Sequence, residues 1–385
     1  MGKGGNAIGH HDLANSKILQ GAAGKDATVN DDIATVAKDT VGLKPKRWYN
    51  RGGIQGVSEI GMGLNVALTP ILFVTYLAPS AELGPFLAGY SFTQVFLSFL
   101  FFNVTSSFVV FGMRTLFCLV CVPLYMTSIL ILATLDVPLI PFIAAILLSA
   151  AWRVAICMSV CLHRYAAHAA FKCGPGVQLM VNLLGCGANQ GGPIWWAAHH
   201  RCHHKYCDMP RDPHASKIVG TERAFSFFLE LAEVDEEFVP FHNDNWYLRL
   251  VDTWCFAVVL AENLAAYYFF GKEALYLSYA SCWICQTITL WFNVSNHPES
   301  APGEVCKASN VRGKPTQWYP AFQLLDLLHP MLGKFAGEIG HEDHHDHPML
   351  ALRDATDMGY YGFILPLKKM GLVWDVRETR SYKKA

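Results

Sequence analysis

Apolar positions are distributed unevenly along the 385-residue chain. A polar opening over residues 1–50, rich in Gly, Ala, Asp and Lys, gives way to long apolar blocks. Six of these blocks approach the ~20 residues that cross ~30 Å of hydrocarbon. They run roughly Gly56–Ala78, Pro85–Gly112, Thr115–Leu135, Val137–Leu162, Trp246–Phe270 and Ala274–Phe292, with Glu59 and Glu262 interrupting the first and fifth. Val177–Trp196 is also apolar, but it carries Asn182, Asn189, Gln190 and several glycines. That mixture predicts a segment lying at the membrane interface rather than a span. Residues Asp212–Asn245 are mixed and acidic, as a cytosolic cap would be.

The expected fold class is therefore an all-α integral membrane protein, a transmembrane helix bundle of about six spans with a helical cytosolic cap. Residues 1–50 are expected to form a disordered polar tail and 51–112 an N-terminal transmembrane pair. The body is 113–385, with spans near 115–162 and 246–292 and a cap from 163–245 and 293–385.

Composition supports this partition. The chain is 52% hydrophobic and 16% charged, against roughly 25% charged in soluble domains. The net charge of −1 offers no basic face for nucleic acid. The twelve cysteines are scattered without a recurring C-x-x-C pair, so they read as reduced core or lipid-facing residues. Basic residues orient the bundle. Lys44, Lys46, Arg47 and Arg51 precede the first span, Arg114 follows the second, and Arg164, Lys172, Arg201, Lys205 and Arg211 follow the fourth. The positive-inside tendency then places both termini in the cytosol.

Ten of the sixteen histidines fall into four short clusters beside these blocks. His163 and His168 frame H-R-Y-A-A-H; His199, His200, His203 and His204 form H-H-R-C-H-H; His297 follows Asn293 by four residues; His341, His344 and His345 form H-E-D-H-H. The topology carries all four clusters to the cytosolic face. Imidazole is a common metal ligand, and i, i+3, i+4 spacing gathers side chains on one helix face. Two such faces meeting could hold two metals. The five-residue step from His163 to His168 needs a helix end or a π-type distortion. An all-nitrogen donor set suits Zn, Fe, Cu or Ni. Nine imidazoles are too many for one ion and about right for two, so a redox pair that activates oxygen is the reading of the residues.

Other residues read differently. His199 breaks the H-x-x-H-H pattern and is expected to support the site or be exposed. His214 and His242 are expected at the surface or in hydrogen bonds, and Cys202 as a bystander. Arg153 lies ten residues before His163, about 15 Å along a helix. It either borders a substrate tunnel or pairs with a carbonyl or carboxylate in the bundle.

At these residues the chain resembles the membrane-bound fatty acyl desaturases, specifically the stearoyl-CoA (delta-9) type, in the flavour of bacterial and algal members. That family carries the boxes H-x4-H, H-x-x-H-H and H-x-x-H-H and an N-x-x-x-H element, all present here in order. H-R-Y-A-A-H-A-A-F-K, W-W-A-A-H-H-R-C-H-H-K-Y, Asp212-Pro213-His214, Gly337-Glu338 and Met370–Asp375 look like the family's surroundings.

The resemblance implies two iron ions held by His163, His168, His200, His203, His204, His297, His341, His344 and His345, with Asn293 acting through a bound water. It makes His199, Asp212, Arg153 and Trp196 candidates for supporting or substrate contacts. It implies O2 as co-substrate and a fatty acyl substrate, acyl-CoA, in a bent tunnel. It also implies a separate electron donor, cytochrome b5 or a ferredoxin, and an endoplasmic reticulum membrane, with a plastid membrane as the alternative. The rivals are a hydroxylase on the same scaffold and, from another class, a histidine-rich membrane metal transporter or sensor. Transporters place ligands within their spans near the midplane, unlike the one-sided clusters here.

Overall fold

The structure, a computed structural model, describes residues 132, 135–207, 209, 212–214, 236–297, 330–338 and 340–379. The first two expected spans, nearly all of the third and the N-terminal tail lie outside the described residues. Its regular elements are almost all helices.

Helix α1, Leu139–Trp152, is built from an apolar run interrupted by Ser149 and continues without a break into a π-helix over Arg153–Ala167. The wider π-turn supplies the register that the five-residue step from His163 to His168 requires. Ala169 then sits in the left-handed region at φ 50°, a strained turn for a non-glycine residue directly after His168. Helices α2, Pro175–Cys186, and α3, Pro193–Tyr206, each start with a glycine followed by proline at the first position, where the missing N–H costs nothing. Both pack against the π-helix. The apolar stretch read as a single interfacial segment is thus two helices separated by the turn 187–192.

Helix α4, Trp246–Thr253, is capped by the Asn245 side chain, which accepts from the Leu248 N–H at 3.1 Å. Helix α5, Cys255–Phe270, follows, and Gly271 at φ 87° ends it. The expected fifth span is therefore not one straight helix: its two parts are bent by 65°. Trp246, Leu250 and Trp254 are exposed while Leu248, Val251 and Asp252 are buried, the pattern of a helix lying along an apolar boundary. Helix α6, Lys272–Asn296, packs between α1 and α5. Among the described residues one helix, Leu139–Ala167, is long and apolar enough to cross a membrane, or two if the bent pair counts as one span. Helix α6 exceeds the length needed, but Ser278, Ser281, Gln286 and Ser295 on its buried side dilute its apolar character.

The C-terminal part closes over the π-helix. It comprises a helical stretch over 330–336, the short α7, His341–Asp346, a π-turn over Tyr360–Ile364 running into α8, Leu365–Lys369, and a two-residue strand. That strand, β2 (Val373–Trp374), pairs antiparallel with β1 (Lys172–Cys173), Lys172 opposite Trp374. The closure is fastened by a fully buried ion pair, Arg164 to Asp357 at 2.6 Å. The same guanidinium donates to the Ala351 and Ala336 carbonyls at 2.6 and 2.7 Å. Removing one partner of such a pair typically costs about 3–5 kcal/mol. Gly337, at φ 71°, passes so close that an added Cβ would stand 2.5 Å from Arg164 Nη2, so the turn before Glu338 needs glycine.

Candidate metal centre

Nine imidazoles converge from four separate segments and sort into two groups. The first comprises His163, His168, His200, His204 and His344, whose nitrogens lie within 4.8 Å of one another. Their Nε2 atoms follow one another at 2.7 Å (His163 to His344), 2.9 Å (His344 to His204), 3.0 Å (His204 to His200) and 3.0 Å (His200 to His168). The second comprises His203, His297, His341 and His345, with His297 Nε2 2.8 Å from His341 Nε2.

The sorting follows from helix geometry. On α3, His200 and His204 join the first group and His203 the second; on α7, His341 and His345 join the second and His344 the first. Adjacent residues on a helix point about 100° apart. The i and i+4 side chains therefore stay together while i+3 splays to the other side. The expectation of three imidazoles on one face is corrected accordingly: each H-x-x-H-H motif divides two to one, in opposite senses, between the groups.

Carboxylates fix the ring orientations. His163 Nδ1 stands 3.0 Å from Glu338 Oε1, and Arg353 donates to Glu338 Oε2 at 2.6 Å. Burial would raise the Glu338 carboxyl, but Arg353 and His163 pull it down to about 2. It is thus ionised, holds the proton on His163 Nδ1 and leaves the Nε2 lone pair facing the group. In the second group Asp212 Oδ2 stands 2.7 Å from His203 Nδ1 and Oδ1 accepts from the His214 N–H at 3.0 Å. Burial opposes ionisation there too, but His203 pulls the Asp212 carboxyl below its ordinary value. His168, His200, His204, His341 and His344 are held neutral, burial lowering each well below the ordinary histidine range.

This donor set fits bound transition metals. His203 Nε2 is buried with no hydrogen-bond partner, a costly state for a polar atom. One ring proton cannot serve several converging nitrogens, whereas a cation can. Two neighbouring ligands of a metal at ~2.1 Å stand about 3 Å apart, close to the spacings of the first group. Nitrogen donors without thiolate are compatible with iron, zinc, copper or nickel.

The remaining expected residues take varied places. Asn293 lies beside the second group and donates from Nδ2 to the His214 carbonyl at 3.1 Å. Trp196 stacks on His200 with ring centres 4.8 Å apart and donates from Nε1 to Gln190 Oε1 at 3.0 Å. Next to both groups is a cavity of about 70 Å³, lined by Met158, Gln190, Trp196, Thr289, Leu290 and Phe292 together with histidines from each.

His199 is buried outside both groups, with Nδ1 2.9 Å from the Trp195 carbonyl. His214 is buried against the His203 ring rather than at the surface, and His242 contacts the Tyr165 carbonyl at 2.9 Å. Cys202 packs with Ala198 and Phe238. Arg153 is paired within the bundle, to Glu262 and to the Gly187 carbonyl. Sequence reasoning gave no role to Arg353, since a lone arginine beyond the last motif carries no signal. Glu338 figured only as part of a familiar-looking neighbourhood.

No protein-family model matches the chain. Several curated proteins do. It is 47% identical over 70 residues, 18% of this chain and 22% of the relative, to a hex-5-enoyl-[acyl-carrier protein] acetylenase of Moorena producens (strain JHB). It is 34% identical over 116 residues (28% and 35%) to an acyl-CoA 5-desaturase of Anemone leveillei. It is 28% identical over 157 residues (34% and 45%) to a delta(9)-fatty-acid desaturase of Caenorhabditis elegans. The chain spans less than half the length of each of these relatives. Together with the two histidine groups, these likenesses support the fatty acid desaturase family, and an oxidoreductase, without singling out its stearoyl-CoA delta-9 type.

Proposed function

We propose that the chain is an O2-dependent fatty acyl desaturase that inserts a cis double bond, in delta-9 fashion, into a saturated acyl-CoA. The observation that carries this reading is the division of nine imidazoles into two adjoining groups beside a largely apolar cavity. His163, His168, His200, His204 and His344 would hold one iron; His203, His297, His341 and His345, with Asn293 through water, would hold the other. When bound, the pair supplies the oxidising power to take two hydrogens from an unactivated methylene pair, using O2 and external electrons.

The chain's own residues do the rest. Glu338 and Asp212 fix the tautomers of His163 and His203, so that Nε2 is available as a ligand. Met158, Leu290 and Phe292 offer an apolar wall to the methylenes and exclude water from them. Trp196, held by Gln190, sets the wall between the cavity and His200. The electrons come from a separate donor, cytochrome b5 or a ferredoxin, at the cytosolic face of the endoplasmic reticulum, with both termini on that side.

The test is expression in a yeast strain lacking its own delta-9 desaturase, beside a His344→Ala control. Fatty acids would be profiled by gas chromatography–mass spectrometry with double-bond location. A new monounsaturated acid, absent from the control, is the expected result. A hydroxy acid instead would assign the scaffold to hydroxylation. No product from an abundant, iron-loaded protein would overturn the acyl-CoA reading.

A further inference from the structure

The stretch Met358–Trp374 has an unusual surface for part of a cap in water. It carries two charges, Lys368 and Lys369, no acidic residue, and no Ser, Thr, Asn or Gln. Tyr360, Ile364, Leu367 and Val373 are buried in the same core as the π-helix. The outer face is apolar as well: Met358, Tyr361, Met370, Leu372 and Trp374 are 41–62% exposed. Single exposed apolar residues are ordinary, but a contiguous stretch that is apolar on both faces calls for an apolar neighbour.

Its position supplies that neighbour. Gly359 passes so close to the π-helix that an added Cβ would stand 2.9 Å from both the Ala155 carbonyl oxygen and Val160 Cγ2. Ala155 and Val160 lie eight and three positions before His163, on the side toward Leu139. Ile140, Leu147, Leu148 and Trp152 are exposed on that side, as on the lipid face of a span. Counted from Leu139, ~30 Å of hydrocarbon is used up after about 20 residues, near Met158. The start of the stretch therefore sits where hydrocarbon gives way to head groups, not beyond the histidines. Tyr and Trp favour that depth, and lysine stems run through apolar surroundings to place their charge at the phosphates. Lys368 also pairs with Glu378, while Lys369 is exposed. An acidic protein would suit the two lysines too, but a protein interface carries a polar rim, and this face has none.

We propose that Met358–Trp374 is seated in the cytosolic leaflet, its outer face in lipid, with Lys368 and Lys369 taking the head groups of anionic phospholipids. This rests on the membrane placement in the functional reading, and it assigns to the bilayer a stretch that hydropathy alone leaves in the cap. Asp357, held by Arg164, fixes the near end of the seated stretch to the π-helix.

The experiment uses the full chain, iron-loaded, in nanodiscs of equimolar phosphatidylcholine and phosphatidylserine. The photoreactive residue p-benzoylphenylalanine is placed in turn at Tyr361, at Met370, at Ile140 on α1, and at Lys334, which is exposed in the stretch leading to Glu338. After irradiation, lipid adducts are counted by mass spectrometry. Adducts at Tyr361 and Met370 are expected to match those at Ile140 and to exceed those at Lys334 by about fivefold or more. In K368A/K369A the phosphatidylserine share of the Met370 adducts is expected to fall by about twofold. Lipid adducts at Ile140, with Tyr361 and Met370 no higher than Lys334, overturn the proposal. An unchanged phosphatidylserine share overturns the head-group assignment. Adducts to a protein in place of lipid at both positions, in the membranes of the expressing cell, would assign the face to a protein partner and overturn it as well. A variant that does not retain iron is replaced by the same probe at Leu372. Absence of lipid adducts at Ile140 would instead remove the membrane placement beneath the proposal.

Discussion

The two histidine groups share a construction plan but differ in how they are supported. The five-imidazole group is backed by Glu338, which also receives Arg353 and Ser159 and lies 3.9 Å from Arg164. The four-imidazole group is backed by Asp212, which accepts from the His203 ring and from the His214 N–H. His341 and His345 are only half-buried there, and Asn293 stands alongside. The first group is braced by an ion network that also fastens the C-terminal part of the chain. The two bonds to Asp212 given above span nine and two residues of the chain. Support of equal chemistry can therefore differ in construction: one carboxylate is wired to arginines far along the chain, and the other accepts from an imidazole and a backbone N–H close by in sequence.

The comparison can be broken by mutation. Glu338→Gln removes the charge that balances buried Arg353 and frees the His163 tautomer. It is expected to lower turnover toward 100-fold, the upper part of the range for such outer partners, and to lower the unfolding temperature as well. Steady-state rates and differential scanning fluorimetry read both. Asp212→Asn keeps the shape but weakens the hold on His203. About tenfold is expected, the lower part of that range, with the unfolding temperature of the metal-free protein nearly unchanged. If Asp212→Asn proved the more destabilising of the two, the distinction between wired and local support would fail. Asn293→Ala is the mildest, removing one neutral hydrogen bond worth about 1 kcal/mol and any water it positions. Less than tenfold in rate is expected, with iron content by plasma mass spectrometry unchanged.

Much of the site was legible because its signal is local. Each H-x-x-H-H motif reads directly as a helix face, and the His163–His168 spacing calls for a helix end or a π-type distortion, of which the π-helix is present with His168 at its end. The division of each motif between groups was not legible, because it depends on where two helices meet. Long-range partners were equally hidden: Glu338 reaches His163 across 175 residues, and Arg153 reaches Glu262 across 109. The bend after Thr253 escaped notice because hydropathy averages over direction. Trp246, Leu250 and Trp254 raise the apolar sum whether a helix crosses a boundary or lies along it.

The start of α3 is set by a residue nearly sixty positions later. Asp252 Oδ1 accepts from the Ile194 and Trp195 N–H groups at 2.7 and 3.0 Å, and a Cβ on Gly192 would stand 2.1 Å from the same oxygen. The consequence is one of timing. A nascent chain that has emerged only as far as H-H-R-C-H-H lacks the anion that pins that helix, and also lacks His297, His341, His344 and His345. Synthesis must run past His345 before either set of imidazoles can close, which leaves the growing polypeptide without a competent nitrogen cage for stray cations until the surrounding helices are in place.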